Sequence, residues 1–594
     1  MSDKLKHSLR RALPILEWAP DYGVEAARDD LVAGITVGVM LIPQGMAYAV
    51  LAGVPPLYGL FASLVPLLVY PIFGTSRHMA VGISAVSMVI VAAGVGQVAE
   101  AGTPEYIALA LLLTAAVGLV EIAMGVARLG FLANLISRPV IDGFAFGAAL
   151  IIAAGQLGNL LGVEVGRSQY VYRLVRNAAV GLGEAHPPTV ILGLGTIGAL
   201  VGLRKWRSSF PAELAVVAVG AAAAWALGLE EAGVELVGKI PSGLPVPGVV
   251  DLSPGAVSDL LPTIGTVAAV QFMAVISLTR VFAARHRYRV DPNQELVAIG
   301  ATNLVGSFFQ SVPVSGSFSR STVNERAGAR TSLANVFAAG MIAVALLFLT
   351  PLLYYIPMPV LAGIIIVAAA DLVEFQELRF LFRAKTSDGY VALVTFATTL
   401  TLGLQEGMLT GIAAATLALL YRISRPHVAE LGHLTSTRSF KRLERFEEAE
   451  PMDGLLVLRV ESGFSFFNAS FLRDYILDKS RERDVRAVVI DGMSINYLDT
   501  TAVESLEEVT RTLEDWGIEI HFAGLTAPVR DVMENSGLGK MVGEDRFHID
   551  PYHAVLDILE RRDQEEGTRR LEAYEEAAEQ EQEEVEPTSE SPYT

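Results

Sequence analysis

The chain has 594 residues, 52% hydrophobic and 18% charged, where an ordinary soluble protein carries about 25% charged residues. Its 64 acidic residues outnumber 45 basic ones, for a net charge of −19, which disfavours a basic nucleic-acid surface and predicts no nucleic-acid partner. No cysteine is present, so disulfide frameworks, thiolate metal sites and cysteine nucleophiles are excluded.

Residues 1–30 do not form a secretory signal. Lys4, Lys6, Arg10 and Arg11 are followed by Pro14, Glu17, Asp21, Glu25 and Asp29, with no continuous apolar core. They predict a cytoplasmic amphipathic segment. From 31 to 425 long apolar runs dominate, and a spanning helix needs about 20 such residues. Clear spans are expected at 107–127, 138–158, 189–203, 212–228, 263–280, 333–350, 389–403 and 407–423. Shorter or broken ones are expected at 33–49, 57–73, 82–96, 294–309, 317–325 and 358–372. The sum is about fourteen.

Basic loops fall after every second span: Arg77-His78, Arg128, Arg204-Lys205-Arg207, Arg285/Arg287/Arg289 and Arg383/Lys385. The intervening loops carry Glu100, Glu105, Glu230, Glu231, Asp251 and Glu406. This alternation predicts that the N-terminus and the C-terminal domain share the cytoplasmic side, with an even number of spans. Residues 426–452 read as a polar linker, 453–562 as a soluble α/β domain and 563–594 as a disordered tail with 12 acidic and 2 basic residues.

The segment Gly193-Leu194-Gly195-Thr196-Ile197-Gly198 satisfies GxGxxG. No strand precedes it and it lies inside an apolar run long enough to span, so the better reading is small residues for close helix packing.

Two segments interrupt the apolar pattern in the two halves of the membrane region. One runs from Gly74 through Ser87, the other from Val312 through Thr322. Each joins small, hydroxyl-bearing residues to a helix start, the pattern expected where a transporter binds its substrate. Helix N-termini offer free N–H groups and a positive dipole end, a neutral cradle for an anion. Ser317 and Ser319 could add hydroxyls and Arg320 a full positive charge. An intramembrane arginine is costly and points to function; pairing with a carboxylate or snorkelling is the alternative for Arg320, and helix capping the alternative for the serines. In the first span, Gln44 needs a polar partner, either a ligand or a neighbouring helix. Glu121, Asp142 and Asp371 are expected in ion pairs (Arg128 and Arg138 for the first two) or at span ends.

These residues resemble a known family. Ile42 through Ala49, Gly53 through Leu60, Phe73 through His78, Tyr288 through Leu296, Gly300 through Phe309 and Pro313 through Arg320 are similar to signatures of the SulP (sulfate permease) anion transporters, which include prestin. The likeness runs in order over about 30–562. It implies a helical polytopic membrane protein with a seven-plus-seven inverted repeat, core and gate subdomains moving as an elevator, a homodimer and a C-terminal STAS domain. It implies an anion site between the third and tenth helices, lined by Gln44, Tyr48, Ser84, Ala85, Val86, Ser317, Phe318, Ser319 and Arg320. Many relatives carry a glutamate on helix eight linked to proton-coupled uptake. Here Ala274 stands in its place, and Gln271, one turn earlier, could supply neutral hydrogen bonds. An alanine binds neither proton nor cation, so uncoupled transport or exchange is expected at that position.

In the C-terminal domain, β-branched runs at 455–460, 485–491 and 518–523 alternate with amphipathic helices at 468–479, 500–516 and 528–536. This order predicts a small α/β layer fold. Asp491 through Thr501 resembles the central loop of STAS domains. By that resemblance Thr500 or Thr501 is a candidate phosphorylation site, with plain N-capping as the alternative. The domain is expected to serve assembly and regulation, with a regulatory protein as a possible partner.

The leading functional expectation is a secondary transporter or exchanger of small inorganic anions in the inner (plasma) membrane. The alternatives are a proton- or sodium-coupled symporter using another acid, and a membrane-anchored signalling protein with the STAS domain as output. No metal-ligand cluster, phosphate loop or nucleophile–base pair suggests an enzyme, and no cofactor is expected.

Overall fold

The computed structural model describes residues 13–134, 137–166, 168, 170–206, 211–251, 253–434, 439–482 and 484–562. Lys4, Lys6, Arg10, Arg11, Arg207 and the acidic tail lie outside these. The chain forms two compact units that meet in sequence at Ala415 and Thr416.

The first unit is helical apart from two short strands. It opens with α1 (Val24–Ala52), α2 (Pro56–Ala62), α3 (Val65–Phe73), β1 (Val81–Ile83) and α4 (Ala85–Val95). There follow α5 (Pro104–Val126), α6 (Arg138–Gly155), α7 (Leu157–Leu161), α8 (Val171–Gly181), α9 (Pro187–Trp206) and α10 (Ala212–Leu227). The second half runs α11 (Pro254–His286), α12 (Pro292–Phe308), β2 (Val314–Gly316), α13 (Phe318–Arg326) and α14 (Ala334–Val344). It ends with α15 (Met358–Ala370), α16 (Phe375–Ala384), α17 (Thr386–Thr401) and the first part of α18 (Leu404–Ser424), the helix that carries the chain across the boundary at Ala415. Every apolar segment expected to span contains a helix. Nine helical stretches among the described residues are long and apolar enough to cross a membrane. Helices α8 and α16 are amphipathic and carry arginines, so neither reads as a span. Helix α1 begins at Val24, ahead of the span expected at 33–49, and takes in Asp30, which is not solvated. It is buried and accepts from the backbone N–H groups of Arg330 and Thr331.

Without a hydrophobic drive between helices in lipid, close packing depends on small residues. Helices α5 and α12 meet at Gly118 and Gly300. A Cβ on Gly118 would lie 2.6 Å from the Gly300 carbonyl oxygen, and one on Gly300 would lie 2.7 Å from that of Gly118. The threonines inside spans satisfy themselves: Thr114, Thr196, Thr279, Thr302 and Thr395 each donate to the carbonyl four residues back. The glycine fingerprint in α9 behaves as expected only in part. Gly193 packs against Leu160 and Thr196 against Gly363, whereas Gly195 and Gly198 face open space.

The second unit contains a seven-stranded sheet built from β3 (Val428–Leu434), β4 (Phe440–Arg442), β5 (Ala449–Glu450), β6 (Leu455–Val460), β7 (Ala487–Asp491), β8 (Glu519–Ala523) and β9 (Phe547–His548). The order is β4-β3-β6-β7-β8-β9, with β5 on β3. Strands β6 to β9 are parallel and β3 is antiparallel to β6. The stretch read as a polar linker, 426–452, therefore holds three strands of the sheet. Its alternation was too short and too charged to stand out.

The sheet is buried on both faces, as parallel strands require. Leu456, Leu458 and Val460 pack with α19 (Ala469–Glu482), α20 (Thr500–Asp515) and α21 (Ala527–Ser536). Leu455 and Val457 pack with Tyr552, Val555 and Ile558 of α22 (Pro551–Arg562) on the other side. Asp499 caps α20 by accepting from Ala502 N at 2.9 Å. Neither Thr500 nor Thr501 is the cap, a correction to the capping alternative; both are exposed.

Candidate functional site

The two interrupted segments meet. Strands β1 and β2 pair antiparallel, Val81 with Gly316, Gly82 with Ser315 and Ile83 with Val314. Because the strands are antiparallel, α4 and α13 leave the pair in opposite directions, each with its N-terminal, electropositive end at the sheet. A two-stranded sheet has two outer edges whose N–H groups, when buried, must find acceptors outside the pair. On β1, Val81 N donates to Asn335 Oδ1 at 3.1 Å. On β2, Val314 N donates to Asn303 Oδ1 at 2.8 Å. Both asparagines are buried. Asn335 also donates to Met79 O, and Ala80 N donates to Ser321 Oγ.

The connector before β1 is pinned by a carboxylate. Glu295 of α12 is fully buried. It accepts from Thr75 N and Thr75 Oγ1 at 2.6 Å each, from Ser76 N at 3.0 Å and from Tyr70 Oη at 2.9 Å. Gln294 Nε2 donates to Phe73 O at 2.9 Å. Two of the sequence signatures, Phe73–His78 and Tyr288–Leu296, are thus the two sides of one hydrogen-bonded joint.

Arg320 lies on the first turn of α13 and is 1% exposed. Its Nη1 is 3.5 Å from Gln44 Oε1, the far edge of hydrogen-bonding range. Its Nε and Nη2 have no protein partner. The guanidinium lies against β1 at Gly82, where a Cβ would come 3.2 Å from Nη2 and 2.9 Å from Leu41 Cδ2, and where φ is +156°. Only glycine leaves room there. Gln44 and Tyr48 are both buried and lie four residues apart, hence on one face of α1.

The other predicted contacts divide. Ser84 caps α4 by accepting from Ser87 N, with Ala85 and Val86 following on its first turn. Ser317 is the half-buried residue before α13; its Oγ is 3.4 Å from Ser319 Oγ, and Phe318 and Ser319 are exposed. The Phe318 ring packs 5.8 Å from that of Phe282. Gln271 belongs to a different cluster, because its Oε1 accepts from Asn303 Nδ2 at 2.9 Å. Ala274 is exposed on α11 and brings no polar group.

Of the three intramembrane acids, two follow expectation. Asp371 pairs with Arg204 at 2.7 Å, which also holds Glu213, and Asp142 lies 3.7 Å from Arg138. Glu121 does not. It is fully buried and bonded to Asn303 Nδ2 at 3.0 Å, with no ion pair to Arg128. Arg128 follows the end of α5, about two turns beyond Glu121, where the backbone turns at positive φ. Sequence reading also missed Glu295, Asn303 and Asn335. For Asn303 and Asn335 the detectable signal was a polar amide in an otherwise apolar helix, whereas Glu295 stands among Asn293 and Gln294 in the polar first turn of α12, where nothing sets it apart.

The sulfate permease family model matches residues 28–395 and the STAS domain model matches 448–554. The chain belongs to the sulfate permease family. It is 33% identical over 570 residues to sulfate transporter 4.1, chloroplastic, of Arabidopsis thaliana, covering 92% of this chain and 82% of that protein. Sulfate transporter 3.1 of the same plant is 31% identical over 570 residues, covering 91% and 86%. The fold of this family member superimposes on that of murine Solute Carrier 26 family member A9, an anion transporter in the inward-facing state, with a TM-score of 0.86 at 24% identity over 94% of this chain and 95% of that one.

Proposed function

We propose that this chain is a secondary transporter or exchanger of small anions, holding its substrate between the N-termini of α4 and α13 and moving it by elevator-type alternating access. The observation that carries the reading is Arg320. A buried guanidinium with Nε and Nη2 free of protein partners, beside the start of two oppositely directed helices, has donors left over for an anion. A cationic substrate would meet like charge at the guanidinium. Sulfate is the first substrate to test, because the relatives named above are sulfate transporters. Bicarbonate, chloride and dicarboxylates are the comparison panel.

In this reading Gln44 and Tyr48 line the anion's side wall, Ser84, Ala85 and Val86 offer backbone N–H groups, and Ser317, Phe318 and Ser319 form the opposing helix start. Gln271 and Ala274 belong to the surrounding helix rather than to the anion's immediate shell. We further propose a homodimer in the inner (plasma) membrane, with the N-terminus and STAS domain cytoplasmic. The exposed Thr500 and Thr501 make the start of α20 the place for a regulatory phosphate or protein. A signalling protein with a silent pore is the competing reading, and it needs no free guanidinium donors.

The test is uptake of labelled anions by reconstituted vesicles, with and without proton and sodium gradients. Saturable uptake of at least one anion that Arg320→Ala abolishes supports the reading. Equal uptake by wild type and Arg320→Ala removes Arg320 from the site.

A further inference from the structure

Glu121 is the one expected ion-pair member that the fold leaves without a cation. Its carboxylate is fully buried. Oε2 accepts one neutral N–H, from Asn303 Nδ2 at 3.0 Å, and Oε1 has no hydrogen-bond partner. The same Asn303 amide group donates to Gln271 Oε1 at 2.9 Å, and Gln271 Nε2 is likewise without a partner. One buried cluster therefore holds two unused polar atoms on neighbouring side chains.

No charged group of the surrounding elements compensates Glu121. Helix α12 carries Glu295, already held by Tyr70, Thr75 and Ser76. Helix α11 carries Asp259, Arg280, Arg285 and His286; Arg280 is exposed and has interactions of its own, and Arg285 and His286 pair with Glu325. Helix α4 carries no charge, and Glu105 lies on the first turn of α5, four turns away. Among the described residues Glu121 has no ion pair. Burying an unpaired carboxylate costs several kcal/mol, and one proton removes that cost. Intramembrane acids in this condition mark proton pathways.

The cluster also reaches the anion site. Asn303 Oδ1 accepts from Val314 N at 2.8 Å, and Val314 begins the strand that ends at Gly316, directly before Ser317 and α13. A change at the Glu121 carboxyl that turns the Asn303 amide shifts the side-chain anchor that Val314 N holds on the outer edge of β2.

We propose that Glu121 is a proton-binding site that couples one proton to anion occupancy through Asn303 and β2. The carboxylate takes a proton from water on one side of the membrane, forming an O–H bond at Oε1, and releases it to water on the other. Each proton carried with an anion cancels one negative charge. This inference rests on the anion-transport reading above and assigns that site a co-substrate.

Two measurements on the full-length protein test it. The first is labelled sulfate uptake into vesicles between pH 6 and 8, with proton movement followed by an entrapped pH dye. Wild-type uptake rises as the outside is acidified, by about threefold or more per pH unit on its steep limb, against tenfold for an ideal single-proton group. Glu121→Gln, which is neutral at every pH, flattens that rise and uncouples the dye signal, while Glu121→Asp keeps both. The second is an infrared difference spectrum across the same pH range, in which wild type shows a carboxylic-acid band that Glu121→Gln loses and Glu121→Asp shifts. An unaltered pH profile in Glu121→Gln, a pH-independent wild type, or a carboxyl protonated throughout the range each overturns the coupling. Should wild type move no anion at any pH, the transport reading fails, and the infrared band still decides whether Glu121 exchanges a proton.

Discussion

Arg320 and Gln44 stand 276 residues apart in the chain, yet their buried side chains face each other at 3.5 Å. The separation is long for a hydrogen bond. Gln44 thus orients the guanidinium without saturating it: Nε and Nη2 have no protein acceptor, and Nη2 lies against Gly82.

Truncation at this pair separates charge from shape. Arg320→Ala removes hydrogen bonds to a charged ligand worth about 1.5–3 kcal/mol, so anion affinity falls by roughly 10- to 100-fold. Gln44→Ala costs less, on the order of fivefold, because one neutral group is lost. Equilibrium binding of sulfate to detergent-solubilised protein reads both; a larger loss at Gln44 than at Arg320 contradicts this ordering.

Glu295 is a structural rather than a ligand-binding acid. Glu295→Ala leaves Thr75 N, Ser76 N and the Tyr70 hydroxyl without their acceptor, a penalty of at least about 3 kcal/mol from buried unsatisfied groups. The melting midpoint of the purified protein drops by several degrees even without anion. An unchanged midpoint shows that the joint between Phe73–His78 and α12 does not hold the connector.

Gly82 predicts a steric effect. Gly82→Ala forces a Cβ to within 2.9 Å of Leu41 and 3.2 Å of the guanidinium at an unfavourable φ. Anion binding weakens while the STAS domain is untouched, so hydrogen exchange slows or quickens only around β1 and α13. Full binding by this variant places the anion elsewhere.

The STAS unit carries a pH dependence of its own. His521 is buried on β8, its Nδ1 3.0 Å from His548 Nε2. Burial is the main cause that lowers its pKa to about 4, and His548 is lowered as well, again chiefly by burial. A depressed histidine means that the unfolded chain binds more protons in the window between about 4 and 6.5. The stabilisation is complete above pH 6.5 and is lost as pH falls toward 4. At about 1.4 kcal/mol per unit, the loss across that window is on the order of 3 kcal/mol. Amide exchange in β8 and β9, corrected for its intrinsic pH dependence, accelerates at pH 5 relative to pH 7; His521→Phe removes most of that acceleration.

Helix α20 distinguishes a cap from a modification site. Asp499→Ala removes the acceptor for Ala502 N and costs about 1 kcal/mol of STAS stability. Thr500→Ala and Thr501→Ala, at exposed first-turn positions, change stability by less than about 0.5 kcal/mol. Denaturant titration followed by Trp516 fluorescence reads the difference, and equal losses at all three positions refute the assignment.

Apolar run length fixed the membrane unit from sequence alone, because a span must be both apolar and about 20 residues long whatever its neighbours are. Period-two and helical patterns did the same for β6, β7, β8 and α19 to α21. The interrupted segments before α4 and α13 were legible for a local reason too: glycine and serine at a helix start announce themselves. Tertiary structure alone decided what the buried polar residues do. Glu121 and Asp371 look alike in sequence, each an acid in or near an apolar run. One pairs with an arginine that a distant helix brings to it, and the other meets only Asn303, because α12 and not Arg128 packs beside it. A carboxylate's partner is a matter of three-dimensional neighbourhood, and the short-range pattern of the chain carries no record of it.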